Sequence, residues 1–140
     1  MTRAPIPIRV DHREVASRVP ERLAAIDDVT LSIEALDLAD YILSPQVAVE
    51  RKTAADLATS IMDKRLFAQA RQLKECFELV VILIEGTDLY AGSHLHPNAI
   101  RGALSYLVVL AGVSVIYSQG PEDSALLLAT MARHAQQGLG

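Results

Sequence analysis

The sequence predicts an α/β fold in which a central mixed sheet carries helices on both faces. Two apolar runs in the second half, residues 79–84 and 113–117, are predicted to be buried strands, and a helical segment follows each. Alternation of strand and helix favours parallel pairing through right-handed crossovers. In the first half, residues 40–43 and 47–52 flank a turn at 44–46 that contains a proline, which predicts an antiparallel hairpin.

The remaining elements follow from local patterns along the chain. Residues 6–10 are predicted to form an opening strand, and residues 17–26 a helix with Pro20 near its first turn. Residues 29–35 alternate apolar and polar side chains, as a half-buried strand does. Thr53 is expected to cap a helix that runs to about residue 62. Three further helices are predicted, at 66–76, at 98–111 after Pro97, and at 121–137.

The charge balance limits the ways in which this chain could bind nucleic acid. The formal net charge is -4 over 140 residues, which is not the basic signature of a strong non-specific DNA-binding protein. Between residues 50 and 75, however, six Lys and Arg outnumber four Asp and Glu, so this segment is the candidate basic surface. Aromatic residues make up only 4% of the chain, and stacking on them is not expected to be the main way of binding bases.

Cysteine use and hydropathy give expectations about the compartment. The single cysteine, Cys76, has no partner within the chain, and the sequence shows no signal-peptide pattern, so a reducing cytoplasm is expected. Cys76 itself is expected to be a small buried side chain. The longest apolar stretch, residues 103–117, is interrupted by polar residues and glycine and is shorter than the roughly 20 residues that a bilayer requires. No contact with a membrane is expected.

One group of charged residues indicates a catalytic site. Glu50 and Lys52 are two apart on a predicted strand, so their side chains lie on one face. If the hairpin turn has three residues, positions that sum to 90 pair and Asp40 lies opposite Glu50; an even turn would separate their faces. Asp11 follows the first strand, and Asp56 lies in the next helix. Carboxylates from separate strands can hold one Mg²⁺, and a nearby Lys can orient the water that attacks a phosphodiester.

The same residues form part of a longer recognisable string. An acid followed by Glu-X-Lys is the pattern of PD-(D/E)xK nucleases, although such triplets are common by chance. The string ADYILSPQVAVERKTAAD, residues 39–56, resembles the GD...ERK...D signature of the XPF/Hef-type structure-specific endonucleases. The resemblance extends through VDHRE (10–14), SIMDKRLFAQARQLKE (60–75), ILIEG (82–86) and HPNAIRGAL (96–104). It implies a three-layer restriction-endonuclease-like fold and a single nuclease domain over residues 1–140. The family's nucleases usually also carry a helix-hairpin-helix domain and often a helicase, and neither is expected in this sequence.

The resemblance also implies a role for each matching residue in a Mg²⁺- or Mn²⁺-dependent site. Asp40 and Glu50 would bind the metal with Asp11 contributing nearby, and Lys52 would position the nucleophile. Arg51 would either bind phosphate or organise the acids. Three further positions match the family's flanking acidic cluster and its final aspartate and are expected to support the site: Arg13, Glu14 and Asp56.

Several of these residues also have an ordinary structural explanation. Glu50, Arg51 and Lys52 could form surface ion pairs, and an Asp in a first helical turn, such as Asp56, is favoured by the helix dipole alone. DNA contacts are predicted for Arg65, Gln69 and Arg101, for which the alternatives are a solvated helix face and, for Arg101, a structural role. Ala39 replaces the glycine of the signature. This replacement matters only if residue 39 has a positive φ, and a residue at the start of a strand is not expected to need a positive φ.

The functional prediction is a metal-dependent endonuclease that cuts branched, forked or flapped DNA in repair or replication-fork processing. Two apolar runs, residues 104–112 and 125–131, exceed what one buried helix face needs and predict a homodimer through the C-terminal helices. A separate DNA-binding or helicase protein is a further candidate partner. The alternative is a non-catalytic dimerisation and DNA-positioning module, which is disfavoured because a degenerate nuclease domain usually loses its metal-binding acids.

Overall fold

A computed structural model describes residues 4–91 and 94–139 and contains one six-stranded mixed sheet. Its strands, in chain order, are β1 (Ile6–Asp11), β2 (Val29–Glu34), β3 (Tyr41–Ser44), β4 (Val47–Thr53), β5 (Leu79–Glu85) and β6 (Ser114–Ser118). Their order across the sheet is β2-β1-β3-β4-β5-β6. The β1–β3 and β3–β4 pairs are antiparallel, whereas β1–β2, β4–β5 and β5–β6 are parallel. The mixed sheet is therefore confirmed.

Helices cover both faces of this sheet and give the predicted three layers. They are α1 (Val19–Ala24), α2 (Ala54–Met62), α3 (Arg65–Cys76), α4 (Pro97–Ser105) and α5 (Pro121–Gln137), with a 3-10 helix at His12–Ser17 and a π-helical turn at Tyr106–Leu110. On one face α2, α3 and α4 pack against Ala48, Ile82 and Ile84. On the other face α1 and α5 pack against Ile8 and Leu83. The fold is that of the restriction-endonuclease class.

Local chemistry explains where the elements near the site begin. The Thr53 hydroxyl accepts the Asp56 N–H at 3.1 Å, so Thr53 caps α2 as predicted. The hairpin pairs Tyr41 with Val49 and Ile42 with Ala48, positions that sum to 90. The prediction of a three-residue turn was wrong: the turn has two residues, Pro45 and Gln46, and a one-residue register shift beside it, where Ser44 pairs with Val47, keeps the predicted pairing further along the strands. Asp40, which directly precedes β3, therefore lies beside Glu50.

Three local expectations were wrong. The strand predicted at 113–117 is not buried: β6 pairs only with β5 at the sheet edge, and Tyr117 is 52% exposed. Cys76 is exposed because it ends α3, beyond the turns that face the core. Ala39 has a φ of 77°, so its backbone does adopt the left-handed conformation that the family's glycine would take without strain.

Two helices are also shorter than predicted. Arg18, with a φ of 68°, separates the 3-10 helix from α1, and α4 changes to π-helical pairing after Ser105. Among the described residues, no helix is long and apolar enough to cross a membrane.

Candidate active site

A cavity of about 540 Å³ lies where the end of β4 meets α2 and α3. All but two of the residues predicted for the site line this cavity: Arg13, Glu14, Asp40, Glu50, Arg51, Lys52, Asp56, Arg65 and Gln69. The two exceptions are Asp11 and Arg101. One lining carboxylate, Asp37, was not predicted, since it lies in the loop between β2 and β3 with no motif to mark it.

The charged side chains at the centre of the cavity are close together and largely buried. Lys52 Nζ lies 3.8 Å from Glu50 Oε1, and their side chains are only 9% and 11% exposed. The carboxyl of Glu50 is also close enough to that of Asp40 for each to influence the pKa of the other. Asp40 Oδ2 accepts the Arg51 N–H at 2.8 Å, which fixes the carboxyl relative to β4. The structure thus brings Asp40, Glu50 and Lys52 together, as the strand periodicity predicted.

Burial and mutual repulsion perturb these two acids. Burial, followed by the nearby charge of Glu50, raises the pKa of Asp40 to about 7. Burial likewise raises the pKa of Glu50, although Lys52 opposes the shift. Two adjacent carboxylates with only one ammonium beside them carry uncompensated negative charge, which either a proton or a further cation would neutralise.

The donor set fits a hard divalent cation. Mg²⁺ takes a few carboxylate oxygens and completes its shell with water and substrate phosphate, and Asp40 and Glu50 offer the carboxylates from neighbouring strands. Asp56 lines the same cavity from the first turn of α2. Over residues 4–91 and 94–139 no three His, Cys, Asp or Glu side chains are grouped closely enough to bind a metal by themselves.

Asp11 occupies a different environment from the one that the metal prediction gave it. Its carboxylate is fully buried and accepts hydrogen bonds from Arg13 Nε at 2.7 Å and from the Leu36 N–H at 3.0 Å. Burial pushes its pKa upward, but the hydrogen bonds from Arg13 and Leu36 outweigh burial and hold the pKa below its usual range. Asp11 thus anchors the 3-10 helix and the loop after β2, and its contact with metal stays a prediction.

Arg51 points to the opposite face of β4 from Glu50 and Lys52, into a buried ionic network. Its Nη2 lies 2.8 Å from Glu85 Oε2 and its Nη1 lies 3.2 Å from Glu14 Oε2. The network continues to α5, because Ser124 Oγ donates to Glu85 Oε1 at 2.6 Å and also lies 2.6 Å from Ser118 Oγ. With its guanidinium engaged by two carboxylates, Arg51 fits the acid-organising role better than the phosphate-binding one.

The two carboxylates on Arg51 respond differently to their surroundings. Burial, with a contribution from Asp40, raises the pKa of Glu14 to about 6 despite the ion pair with Arg51. Burial also pushes the pKa of Glu85 upward, but hydrogen bonds from Arg51 and Ser124 lower it below its usual value. Glu85 lies within the ILIEG string of the resemblance, which could have identified it, whereas nothing in the sequence connects Ser124 with a residue 39 positions earlier.

Of the three residues predicted to contact DNA, two lie at the cavity and one lies elsewhere. Arg65 and Gln69 line the cavity from α3, and Arg65 pairs with Asp63 at 3.6 Å on the exposed side. The side-chain oxygen of Gln69 is buried and has no hydrogen-bond donor among the described residues. Arg101, on α4, instead lies over the ring of Tyr90, 5.5 Å from its centroid.

Comparisons with known proteins agree with this geometry. Residues 10–131 match the ERCC4 domain family. The chain is 36% identical to the 3′-flap repair endonuclease Xpf of Saccharolobus solfataricus over 135 residues, which cover 95% of this chain and 57% of that protein. It is 37% identical over 134 residues to a Methanocaldococcus jannaschii protein that carries the name of an ATP-dependent RNA helicase, covering 94% and 16% respectively.

Solved structures show the same relationship in three dimensions. XPF from Aeropyrum pernix superposes with a TM-score of 0.88 at 32% identity, and the match covers 95% of this chain and 66% of that one. The same protein in complex with DNA gives a TM-score of 0.87, also at 32% identity, over 94% and 65% of the two chains. The chain therefore spans less than two thirds of the length of each of these relatives.

Proposed function

The chain belongs to the ERCC4 domain family as an XPF/Hef-type nuclease domain, and from this premise we propose that it is a metal-dependent endonuclease for branched, forked or flapped DNA. The observation that carries the proposal is the buried group of Asp40, Glu50 and Lys52 in a cavity beside a basic helix start. DNA repair or replication-fork processing is the corresponding role.

Asp40 and Glu50 would hold Mg²⁺ or Mn²⁺, which supplies charge stabilisation to a phosphodiester in hydrolysis. The Lys52 ammonium lies against Glu50, where it can orient an attacking water and counter the negative charge that develops on the phosphate. Arg51 keeps the Asp40 carboxyl in place through its backbone N–H. The unpaired oxygen of Gln69 can accept a hydrogen bond from a water molecule in the cavity.

DNA would approach from the side of α3. Arg65 and Arg13 are exposed cations on the cavity rim, suited to phosphates on either side of the scissile bond. The similar structure of XPF from Aeropyrum pernix is a complex with DNA, which supports DNA binding itself. Because the net charge is -4 and the cationic surface is local, binding should be weak and should fall steeply with salt.

A homodimer is part of the same proposal. Val109 and Leu110 in the π-helical turn are 72% and 76% exposed, and Leu126 on α5 is half exposed. Exposed apolar side chains on the C-terminal elements suit an interface between two copies of the chain. Light scattering should give twice the chain mass of 15.2 kDa at micromolar concentration, and a Leu110→Glu variant should run as a monomer. A wild-type monomer would contradict the dimer without touching the catalytic proposal.

Cleavage of labelled DNA with Mg²⁺ or Mn²⁺ at low salt tests the activity. Wild-type protein should nick 3′-flap and fork substrates in preference to plain duplex, whereas Asp40→Asn and Glu50→Gln should lose cutting by a factor of 100 or more. Glu75→Gln is the matched control, since Glu75 is exposed on α3 outside the cavity lining. Folded, dimeric wild type that cuts no substrate, with or without an added helicase or DNA-binding partner, would favour the non-catalytic DNA-positioning module.

A further inference from the structure

A second cavity, of about 620 Å³, lies beyond the carboxyl ends of β5 and β6, and none of the predicted site residues lines it. We call it the tyrosine cavity, after Tyr90 and Tyr117; its wall also includes Gly86, Asp88, Gln119 and Asp123. Half of the four tyrosines in a chain without tryptophan are therefore at this cavity. Both rings are accessible, since Tyr90 is 42% exposed and Tyr117 is 52% exposed.

The tyrosine cavity lies beside the active site on the same edge of the sheet. The strands β4, β5 and β6 are parallel neighbours, so their carboxyl ends lie side by side. Lys52 is near the end of β4, whereas the tyrosine cavity begins at Gly86, directly after Glu85. Two strand spacings separate β4 from β6, which is about 10 Å. A DNA strand covers such a distance within a few nucleotides, because it advances ~3.4 Å per nucleotide in a duplex and further where it is unpaired.

The chemistry of the wall suits a base rather than a phosphate. The faces of tyrosine rings stack on nucleobases with little regard to sequence. Asp88 and Asp123 place carboxylates in the wall, which repel phosphate but accept hydrogen bonds from base amino groups. Asp123 Oδ2 already accepts the Gln119 N–H at 2.9 Å, which holds that carboxylate in position.

A cation is available where the backbone of such a nucleotide would lie. Arg101 is 5.5 Å from the centroid of Tyr90 but is not part of the cavity wall, and its Nη1 is held by Asn98 Oδ1 at 3.0 Å. The guanidinium is thus fixed next to the ring at the edge of the cavity. The carboxylates and the tyrosine rings inside the cavity suit the base of a nucleotide, and the guanidinium outside it suits the phosphate. The arrangement therefore matches one nucleotide whose base is inserted and whose phosphate is exposed.

We propose that the tyrosine cavity binds one unpaired base of the DNA substrate, within a few nucleotides of the phosphate at the Asp40–Glu50 pair. The base must be unpaired, because a paired base in a duplex offers neither its face nor its amino group to the wall. The inference rests on the proposed nuclease function and specifies the substrate: the tyrosine cavity would let this domain distinguish a junction with a single-stranded arm from plain duplex.

Fork DNA with 2-aminopurine at each of the first five unpaired positions tests the proposal, in EDTA at low salt so that no cleavage occurs. The fluorescence of 2-aminopurine falls when it stacks, so wild-type protein should quench one position more than its neighbours. Tyr90→Ala and Tyr117→Ala should abolish this quenching and weaken fork binding about 5- to 150-fold, the range for loss of one stacked base. Neither should change plain-duplex binding, and Tyr90→Phe, which keeps a ring, should behave like wild type.

Three results would overturn the inference: equal fluorescence at every position with wild type, unchanged fork affinity in both alanine variants, or an equal loss of affinity for fork and duplex. If Tyr117→Ala instead halves the molar mass in light scattering and leaves the quenching intact, the tyrosine cavity belongs to an interface with a second copy. Thermal melting of each variant checks its fold. Cutting by wild type is measured separately, so preferential quenching without cutting would contradict the nuclease proposal alone.

Discussion

Replacing Asp40 with asparagine should stabilise the metal-free protein while it abolishes cutting. In the folded protein, burial and the neighbouring Glu50 raise the pKa of Asp40 to about 7. In an unfolded chain the pKa of an aspartate is about 3.9, which is about three pH units lower. At 1.36 kcal/mol for each unit, the ionised Asp40 carboxyl destabilises the folded protein by up to about 4 kcal/mol. Water in the cavity screens part of this, so we expect a gain of about 1 to 3 kcal/mol at pH 8.

The asparagine also suits the contacts that Asp40 makes. Its amide oxygen can accept the Arg51 N–H, now held by Asp40 Oδ2 at 2.8 Å, and its amide nitrogen can donate to the Glu50 carboxylate. The pH dependence follows from a raised pKa in an acid: the Asp40 contribution to stability is fully present below pH 4 and is lost as pH rises through 7. The advantage of Asp40→Asn should thus be small at pH 4.5, at about a quarter of its full value, and largest at pH 8.

Urea denaturation in EDTA at these two pH values measures the difference, with Asp56→Asn as the matched control. Asp56 lines the same cavity but is exposed, so its substitution should change the free energy of unfolding by less than about 0.5 kcal/mol. Added Mg²⁺ should then stabilise wild type, because an ion that binds only the folded protein raises its stability, and should leave Asp40→Asn unchanged. An Asp40→Asn variant that is less stable than wild type at pH 8 would refute the reasoning.

Substitutions at three further residues test the surroundings of the site by urea denaturation. Arg51→Ala leaves Glu14 and Glu85 buried without their cation and should cost about 3 to 5 kcal/mol, whereas a cost below about 1 kcal/mol would contradict the buried network. Ser124→Ala removes a 2.6 Å hydrogen bond to a carboxylate and should cost about 1.5 to 3 kcal/mol, more than an exposed serine variant would. Ala39→Val places a branched side chain at a φ of 77° and should destabilise the protein by about 2 kcal/mol or more. Ala39→Gly should change the stability by less than about 1 kcal/mol. Equal effects of the two substitutions would contradict a strained backbone at this position.

The centre of the site could be predicted because it depends on short-range rules. Strand periodicity puts Glu50 and Lys52 on one face, and the antiparallel pairing of Tyr41 with Val49 brings Asp40 beside Glu50. The turn has two residues and not the predicted three, and a register shift next to it, which has no sequence signal, keeps that pairing. The same periodicity puts Arg51 on the other face, but it does not say what the side chain meets there. Its partners Glu14 and Glu85 are 37 and 34 residues away in the chain, and only the assembled sheet and helices bring them together.

The remaining errors have the same origin. An apolar run such as residues 113–117 has no local feature that tells a central strand from an edge strand, because strand order is a property of the whole sheet. The positive φ of Ala39 had a signal, the glycine of the family signature, but an alanine hides it. The tyrosine cavity takes Tyr90 from a loop and Tyr117 from an edge strand, and Arg101 of a helix lies beside it, a grouping that no spacing in the sequence reveals.

The central claim is that the Asp40–Glu50 pair is the metal centre of a nuclease, and a Mn²⁺ titration followed by EPR spectroscopy tests it most directly. Wild-type protein should bind Mn²⁺ over the same concentration range in which it begins to nick fork DNA. Glu50→Gln and Asp40→Asn should lose both the bound-metal signal and the cutting, while Glu75→Gln keeps both. Undiminished Mn²⁺ binding and cutting in Glu50→Gln and Asp40→Asn would contradict the account and place the metal elsewhere in the protein.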